Sequence, residues 1–518
     1  MELKLKKLPL GLSDFKKIID GDYVYVDKTQ LIYEMITSGD YYFLSRPRRF
    51  GKSLLVSTLA EIFSGNKKLF EHLWIGTSDY EWSAYPIIKI DFSRVDYSSI
   101  ERLEKSLSKQ LYAIAKKYKV VVEKTDSVKD LFDDLIQALS SINSVVILID
   151  EYDKPILDYV HDVLQANARR EILRNFYLII KAADQLVRFA FLTGVTKFAK
   201  TSIFSGLNNL RDISLSEKYA TLLGYTHQEL IDNFTPHLEN QVSLLGNTVD
   251  AVVESLQSQY DGYRFAKNAT LLFNPYSVLT SLTEHALGNY WFASGTPTFL
   301  INLIKQGDYD VNSVTHPVLN ADDLGSFEPE NIPLPALLFQ TGYLTIAAYE
   351  PQTDNYTLAI PNREVYRGFM RQLANGLTML PVDKSLEYAK RMFKKFLSVD
   401  IEGLGKVLQE FFNRMPYTVH VKSESQLQFV LYAIFALIGV AVDPEVTTSL
   451  GRADLVVSLP KLIYVIELKF NGSAQQALEQ IQDKKYYEKY LSADKQITLV
   501  CINFDQKTKT VSLESSGI

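Results

Sequence analysis

Ser144-Val145-Val146-Ile147-Leu148-Ile149-Asp150-Glu151-Tyr152-Asp153 is an unbroken β-branched and aliphatic run that stops in a cluster of carboxylates. A run without polar alternation suits a central strand of a parallel sheet, because helices cover both of its faces. Carboxylates at the C-terminal edge of such a strand lie beside the crevice where an open α/β sheet takes its ligand. There Asp150 can hold Mg²⁺ and Glu151 can polarise an attacking water. The plainer alternative is a buried strand that merely ends in solvated carboxylates.

Upstream, Tyr41 to Ser57 reads YYFLSRPRRFGKSLLVS. It predicts a short buried strand at Tyr42-Phe43-Leu44, a basic turn, and Gly51-Lys52-Ser53 opening an apolar helix. That order suits a phosphate-binding loop: helix-start amides and the macrodipole face an anion, Lys52 reaches the outer phosphates, and Ser53 can ligate Mg²⁺. Gly-Lys-Ser alone is a weak signal, and the full pattern asks for Gly where Arg46 stands. The carboxylate strand downstream supplies the missing support. The candidate nucleotide-binding set is Arg46, Pro47, Arg48, Arg49, Phe50, Gly51, Lys52, Ser53, Leu54, Asp150, Thr193 and Thr196, with Glu151 catalytic and Ser53 and Asp150 on the metal.

Further strands are expected at Tyr85 to Phe92, at Arg188 to Thr193 and at Asp212 to Leu215, giving five in all. Thr193 and Thr196 at the third strand's tip can sense the terminal phosphate or the attacking water, or serve as turn residues. Helical periodicity marks Ile100 to Tyr118 and Val128 to Leu139. Lys218 to about Lys305 reads as mostly helical, interrupted by the aromatic turn Tyr260-Asp261-Gly262-Tyr263-Arg264-Phe265. Arg264 offers either a phosphate contact or a surface ion pair. Asp308 to Pro335 reads as an exposed connection, and Leu337 to Ile346 with Tyr356 to Ile360 as the helix and wing of a small winged-helix unit.

The far end carries a second constellation. Glu424 begins a helix with an apolar face, Gly451 to Val457 and Ile463 to Phe470 form a hairpin, and Gln480 lies on a following helix. Glu467 and Lys469 are two apart and share a strand face, where Asp454 can meet them across the hairpin. Charged groups on an apolar strand are costly without a purpose. Asp454 and Glu467 suit Mg²⁺, and Lys469 can orient water or stabilise charge on a phosphodiester. Glu424, Asp454, Glu467, Lys469 and Gln480 are therefore the candidate catalytic set, the alternative being a structural salt-bridge cluster.

Composition bounds the reading. A chain of 518 residues exceeds one core, and the net charge of −6 excludes a chain that is basic throughout while leaving room for a local basic groove. The single cysteine, Cys501, sits in an apolar run and rules out an internal disulfide framework. The N-terminal apolar stretch is too short for a signal peptide, and Phe429 to Val442 falls short of a membrane span. A cytoplasmic chain with no membrane association is expected.

Taken together, these motifs resemble bacterial predicted AAA-ATPase-like proteins fused to a PD-(D/E)XK nuclease-superfamily domain. The resemblance rests on Tyr23 to Thr29, Phe43 to Ser53, Leu148 to Asp153, Phe191 to Val195, Tyr260 to Phe265 and the C-terminal set. It implies an α/β protein with an N-terminal P-loop (ASCE/AAA-like) parallel sheet, a helical lid and a C-terminal restriction-endonuclease-like α/β domain. Arg46 agrees with that family's Arg-Pro-Arg-Arg loop. The expected division is 1–215 for the ATPase-like domain, 216–382 for lid and connector, and 383–518 for the nuclease-like domain. ATP and Mg²⁺ are the implied cofactors, DNA the implied partner, and a homo-oligomer is plausible because AAA-type sites often borrow an Arg from a neighbour. The expected function is an ATP-regulated, Mg²⁺-dependent nuclease in defence or mobile-element biology. The rival is a slow nucleotide-dependent switch with a non-cleaving nuclease fold.

Overall fold

The computed structural model describes residues 5–198, 203, 207, 209–245, 248–294, 300–301, 303–304, 309–328, 330–416, 421–439, 441–447 and 452–518. Gly451, expected to open the hairpin, lies outside them. The chain packs as two compact units, Met1–Trp291 with Val318–Glu364, and Phe292–Pro317 with Val365–Ile518. Packing thus joins residues 216–291 to the N-terminal sheet, whereas the expected division groups them with a lid and connector at 216–382. The reason is a shared core: Val24 and Val26 of the lead-in are buried among Leu230, Phe234, Val252 and Leu256 of the helices that follow the sheet.

The first unit is built on β1 (Tyr41–Ser45), β2 (Ile87–Asp91), β3 (Val145–Asp150), β4 (Val187–Gly194) and β5 (Arg211–Asp212). All pair in parallel in the order β2-β3-β4-β1-β5. β1 and β3 are buried along their whole lengths, as their uninterrupted apolar sequences require. Because β4 lies between them, the ends of three strands meet the start of the helix Lys52–Phe63. Helices Ile100–Tyr118 and Val128–Ser140 form where periodicity places them, each capped by a serine side chain, Ser99 and Ser127. A long helix at Val163–Ala182 completes the packing.

Helices His227–Glu239, Val249–Tyr260 and Pro275–Glu284 follow the sheet in the chain. The stretch expected to be an exposed connection contains short elements, among them β6 (Val318–Asn320). With β7 (Thr345–Glu350) and β8 (Asn355–Ala359) it makes an antiparallel sheet of order β6-β8-β7 beside the helix Leu334–Thr341. The stretch Leu337 to Ile346 thus spans the end of a helix and the start of β7, and Tyr356 lies in β8.

The second unit has a mixed sheet of order β13-β12-β11-β10-β9. Its strands are β9 (Ala441–Thr447), β10 (Arg452–Ser458), β11 (Leu462–Phe470), β12 (Gln496–Asp505) and β13 (Thr510–Gly517), and only β11 and β12 pair in parallel. Alternation sorts β11 into two faces. Ile463 and Val465 join Ala477 and Ile481 of the helix Ala474–Lys484 in one cluster, while Tyr464 meets Phe396. No helix among the described residues is long and apolar enough to cross a membrane.

Candidate functional site

After β1 the chain turns through Arg46 to Phe50 into the helix Lys52–Phe63, with Gly51 at the cap in the left-handed conformation (φ 95°). Lys52 is buried, and its Nζ donates to the carbonyl oxygens of Arg46 and Pro47, each at 2.9 Å. Burial lowers its pKa against the pull of Asp150, Glu151 and Asp153. Burial raises the pKa of the Asp150 carboxyl, while the neighbouring Ser53 hydroxyl and Lys52 oppose the shift. Asp150 Oδ1 is buried without a hydrogen-bond partner among the described residues. Glu151, next along, takes a left-handed backbone (φ 53°) uncommon for a side chain of its size, and burial raises its pKa as well. Lys52, Ser53, Asp150 and Glu151 are therefore brought together.

Other candidates have different surroundings. The Arg46 guanidinium is 2% exposed, and its Nη1 donates to the carbonyls of Ser45 (2.9 Å) and Ser214 (2.7 Å). Thr193 donates its hydroxyl to Leu44 O at 2.7 Å, across the β1–β4 pair. Thr196 donates to Asp153 Oδ2 at 2.6 Å, and the same carboxylate accepts the backbone N–H groups of Val195 and Thr196. Asp153, which the sequence offered only as one carboxylate among several, thus staples the end of β3 to the end of β4. Lys197 pairs with Asp212, and Arg264 donates to Ala347 O at 3.3 Å. Phe50, Gly51 and Leu54 line an apolar pocket with Val26, Leu223 and Pro275.

In the second unit the whole C-terminal set assembles. Glu467 Oε1 accepts from Gln480 Nε2 at 2.6 Å and from Lys469 Nζ at 3.1 Å. Lys469 Nζ also lies 3.7 Å from Glu424 Oε1. Asp454 Oδ2 accepts the backbone N–H of Leu468 at 2.7 Å, which fixes it beside Glu467, and Gln428 donates to the Asp454 carbonyl. Burial and the Asp454 charge push Glu467 up to about 7, with Lys469 opposing. Burial works against the Lys469 ammonium, but Glu467 and the other carboxylates win and raise its pKa. Glu467 Oε2 is buried without a partner among the described residues.

Comparison with known proteins finds a family match at each end of the chain. A family model described as "Predicted AAA-ATPase" matches residues 9–204, and one described as "PD-(D/E)XK nuclease superfamily" matches residues 422–514. The protein named "Uncharacterized protein in vnfD 5'region", from Azotobacter chroococcum mcd 1, is 35% identical over 520 residues, covering 98% of each chain. The chain belongs to the predicted AAA-ATPase family that carries a PD-(D/E)XK nuclease-superfamily domain.

Such domains usually involve nucleotide and Mg²⁺, and the residues present fit a cation at each site. Asp150 and Glu467 each keep one buried carboxylate oxygen without a protein partner among the described residues. Among the same residues no three Asp, Glu, His or Cys side chains gather into a complete cage, so the protein would supply only part of the coordination shell and leave the rest to water or substrate oxygens. In this AAA-ATPase-like chain Ser53 and Asp150 would hold one ion, and Asp454 and Glu467 the other.

Proposed function

We propose that the first unit binds ATP and hydrolyses it slowly, and that the second unit cleaves DNA phosphodiesters with Mg²⁺. The observation that carries the nuclease half is Glu467, buried against Asp454 and raised in pKa to about 7. Two carboxylates forced together in a low-dielectric site favour a cation, and a lysine within 3.1 Å is what a phosphodiester's developing charge needs. Mg²⁺ at Asp454 and Glu467 would supply water activation and charge neutralisation. Gln480 fixes the orientation of Glu467, and Lys469 steadies the attacking water or the phosphate oxygens.

For the nucleotide, the apolar pocket beside Gly51 suits a base while Lys52 and the helix start suit phosphates. Turnover is slow because the hydroxyl protons of Thr193 and Thr196 are already donated within the fold. Slow turnover is shared by a second reading, a nucleotide-dependent switch whose nuclease fold binds DNA without cutting it.

Plasmid nicking with Mg²⁺ or Mn²⁺ separates the two readings. Asp454→Ala and Glu467→Ala are expected to lose at least about 100-fold in cleavage rate. Equal cleavage by wild type and both variants would overturn the site. A wild type that shifts DNA on a gel without cutting it would establish the switch.

A further inference from the structure

The basic turn is gripped residue by residue from outside the sheet. The Arg46 guanidinium lies 4.3 Å from the centre of the Phe265 ring, and that of Arg49 lies 4.4 Å from Tyr276. Phe50 packs edge-on against Tyr263 and Phe265 at 4.8 and 5.2 Å. Pro47 sits against Gly342, where the left-handed backbone (φ 91°) and the close approach both demand glycine: a Cβ there would come within 2.7 Å of Pro47 Cβ. Arg48 O accepts the indole N–H of Trp291 at 3.3 Å.

Trp291 leads on to a buried carboxylate. Its backbone N–H donates to Glu364 Oε1 at 2.8 Å, and Glu364 Oε2 accepts from Ser277 Oγ at 2.7 Å. Ser277 neighbours Tyr276, the ring under Arg49, so the carboxylate is tied back to the turn by two routes. Trp291 and Glu364 are also the last residues of the two segments that make up the first unit, the points at which the chain leaves it. Glu364 is 1% exposed.

A turn enclosed in this way changes shape only by moving its neighbours. Lys52 now holds the carbonyls of Arg46 and Pro47, adjacent to the carbonyl that Trp291 holds. A phosphate that draws Lys52 away breaks both bonds and frees those peptides to rotate. We propose that Trp291 and Glu364 are positioning residues that convert occupancy of the phosphate loop into a change at the two points where the chain leaves the first unit. The inference rests on the ATP-binding reading given above.

The full-length protein with Trp74→Phe and Trp82→Phe keeps Trp291 as its single indole, since the chain has three tryptophans. Titration with Mg²⁺-ATP is followed by Trp291 emission and, in parallel, by calorimetry and by hydrogen exchange of residues 363–378. The expected result is an emission change with the calorimetric midpoint, together with altered exchange at the start of that helix. Glu364→Gln, which disrupts the carboxylate, should abolish the exchange response while ATP still binds. No heat of ATP binding would overturn the ATP reading and this inference with it. Binding with silent Trp291 emission would overturn the inference alone, as would an emission change without altered exchange. An unstable Glu364→Gln protein leaves the decision with the parent, where Glu364 is intact.

Discussion

Lys52, buried at a helix start, and Lys469, half-buried on a strand, both lie beside carboxylates, yet they are satisfied in opposite ways. Lys52 donates to two neutral backbone carbonyls, and burial lowers its pKa. Lys469 donates to a carboxylate and lies near a second, and its pKa is raised. A charge desolvated against neutral acceptors lacks full compensation, whereas one desolvated against an opposite charge has it. Under the proposed function, the first lysine would therefore gain from exchanging its neutral acceptors for an anionic phosphate. The second is already paired, and its site wants a cation at Glu467. Under that proposal phosphate binding would rearrange the first site, whereas the second has its side chains paired already.

The strongest way to break this contrast is to remove each lysine. Lys469→Met should reduce DNA cleavage by on the order of 100- to 1000-fold, the usual cost of one preorganised charge stabiliser. Plasmid-nicking rates measure it, and wild-type rates in the variant would show that Lys469 only balances charge. Lys52→Met should weaken ATP binding by about ten- to 100-fold, the worth of a charged hydrogen bond to phosphate. Unchanged calorimetric affinity would mean that the lysine stays on its carbonyls when nucleotide binds, and the idea of that exchange would fall.

Glu364 sharpens the contrast with a third case, a buried acid whose donors are neutral. Burial pushes it up to about 7, opposed by the hydrogen bonds of Trp291 and Ser277, with the Tyr260, Tyr263 and Tyr290 rings nearby. The folded state keeps this proton to higher pH than the unfolded chain does, so stability falls as pH rises from the ordinary glutamate range to about 7. The loss is at most about 3 kcal/mol, and it is absent at lower pH. Denaturant melts of wild type and Glu364→Gln from about pH 4 to about pH 8 should differ by that slope. Parallel curves would mean that Glu364 ionises normally.

What was legible in the sequence was local. β3 announced itself by an apolar run and β1 by its junction with Gly51-Lys52-Ser53, while Glu467 and Lys469 did so by the two-residue period of β11. β9 was hidden because Pro444 and flanking acids read against a strand, and it survives as an edge strand, where a missing N–H costs little. β13 is the opposite edge, polar and largely exposed, so it carries no hydrophobic alternation to read. The Trp291–Arg48 bond joins residues 243 apart, and no pattern along the chain foretells it. The role of Asp153 depends on β4 arriving beside β3, a pairing that only the folded sheet supplies.

The smallest expected effect tests the closed character of the first site most directly. Thr193 and Thr196 read equally well as phosphate sensors or as turn residues, and the fold gives each hydroxyl proton an internal acceptor. Thr193→Val keeps the shape and removes one buried hydrogen bond to Leu44 O, which should cost about 1 kcal/mol of stability. ATP turnover at saturation should then change by no more than about twofold, because a residue that touches neither water nor phosphate leaves the barrier nearly unchanged. Thr196→Val should behave alike, since Asp153 still accepts the two backbone N–H groups that hold β4 to β3. A tenfold or larger fall in turnover (about 1.4 kcal/mol on the barrier) without a matching loss of stability would show that a hydroxyl leaves its internal acceptor in the bound state. The nucleotide site would then be remade by its ligand well beyond the release of Lys52.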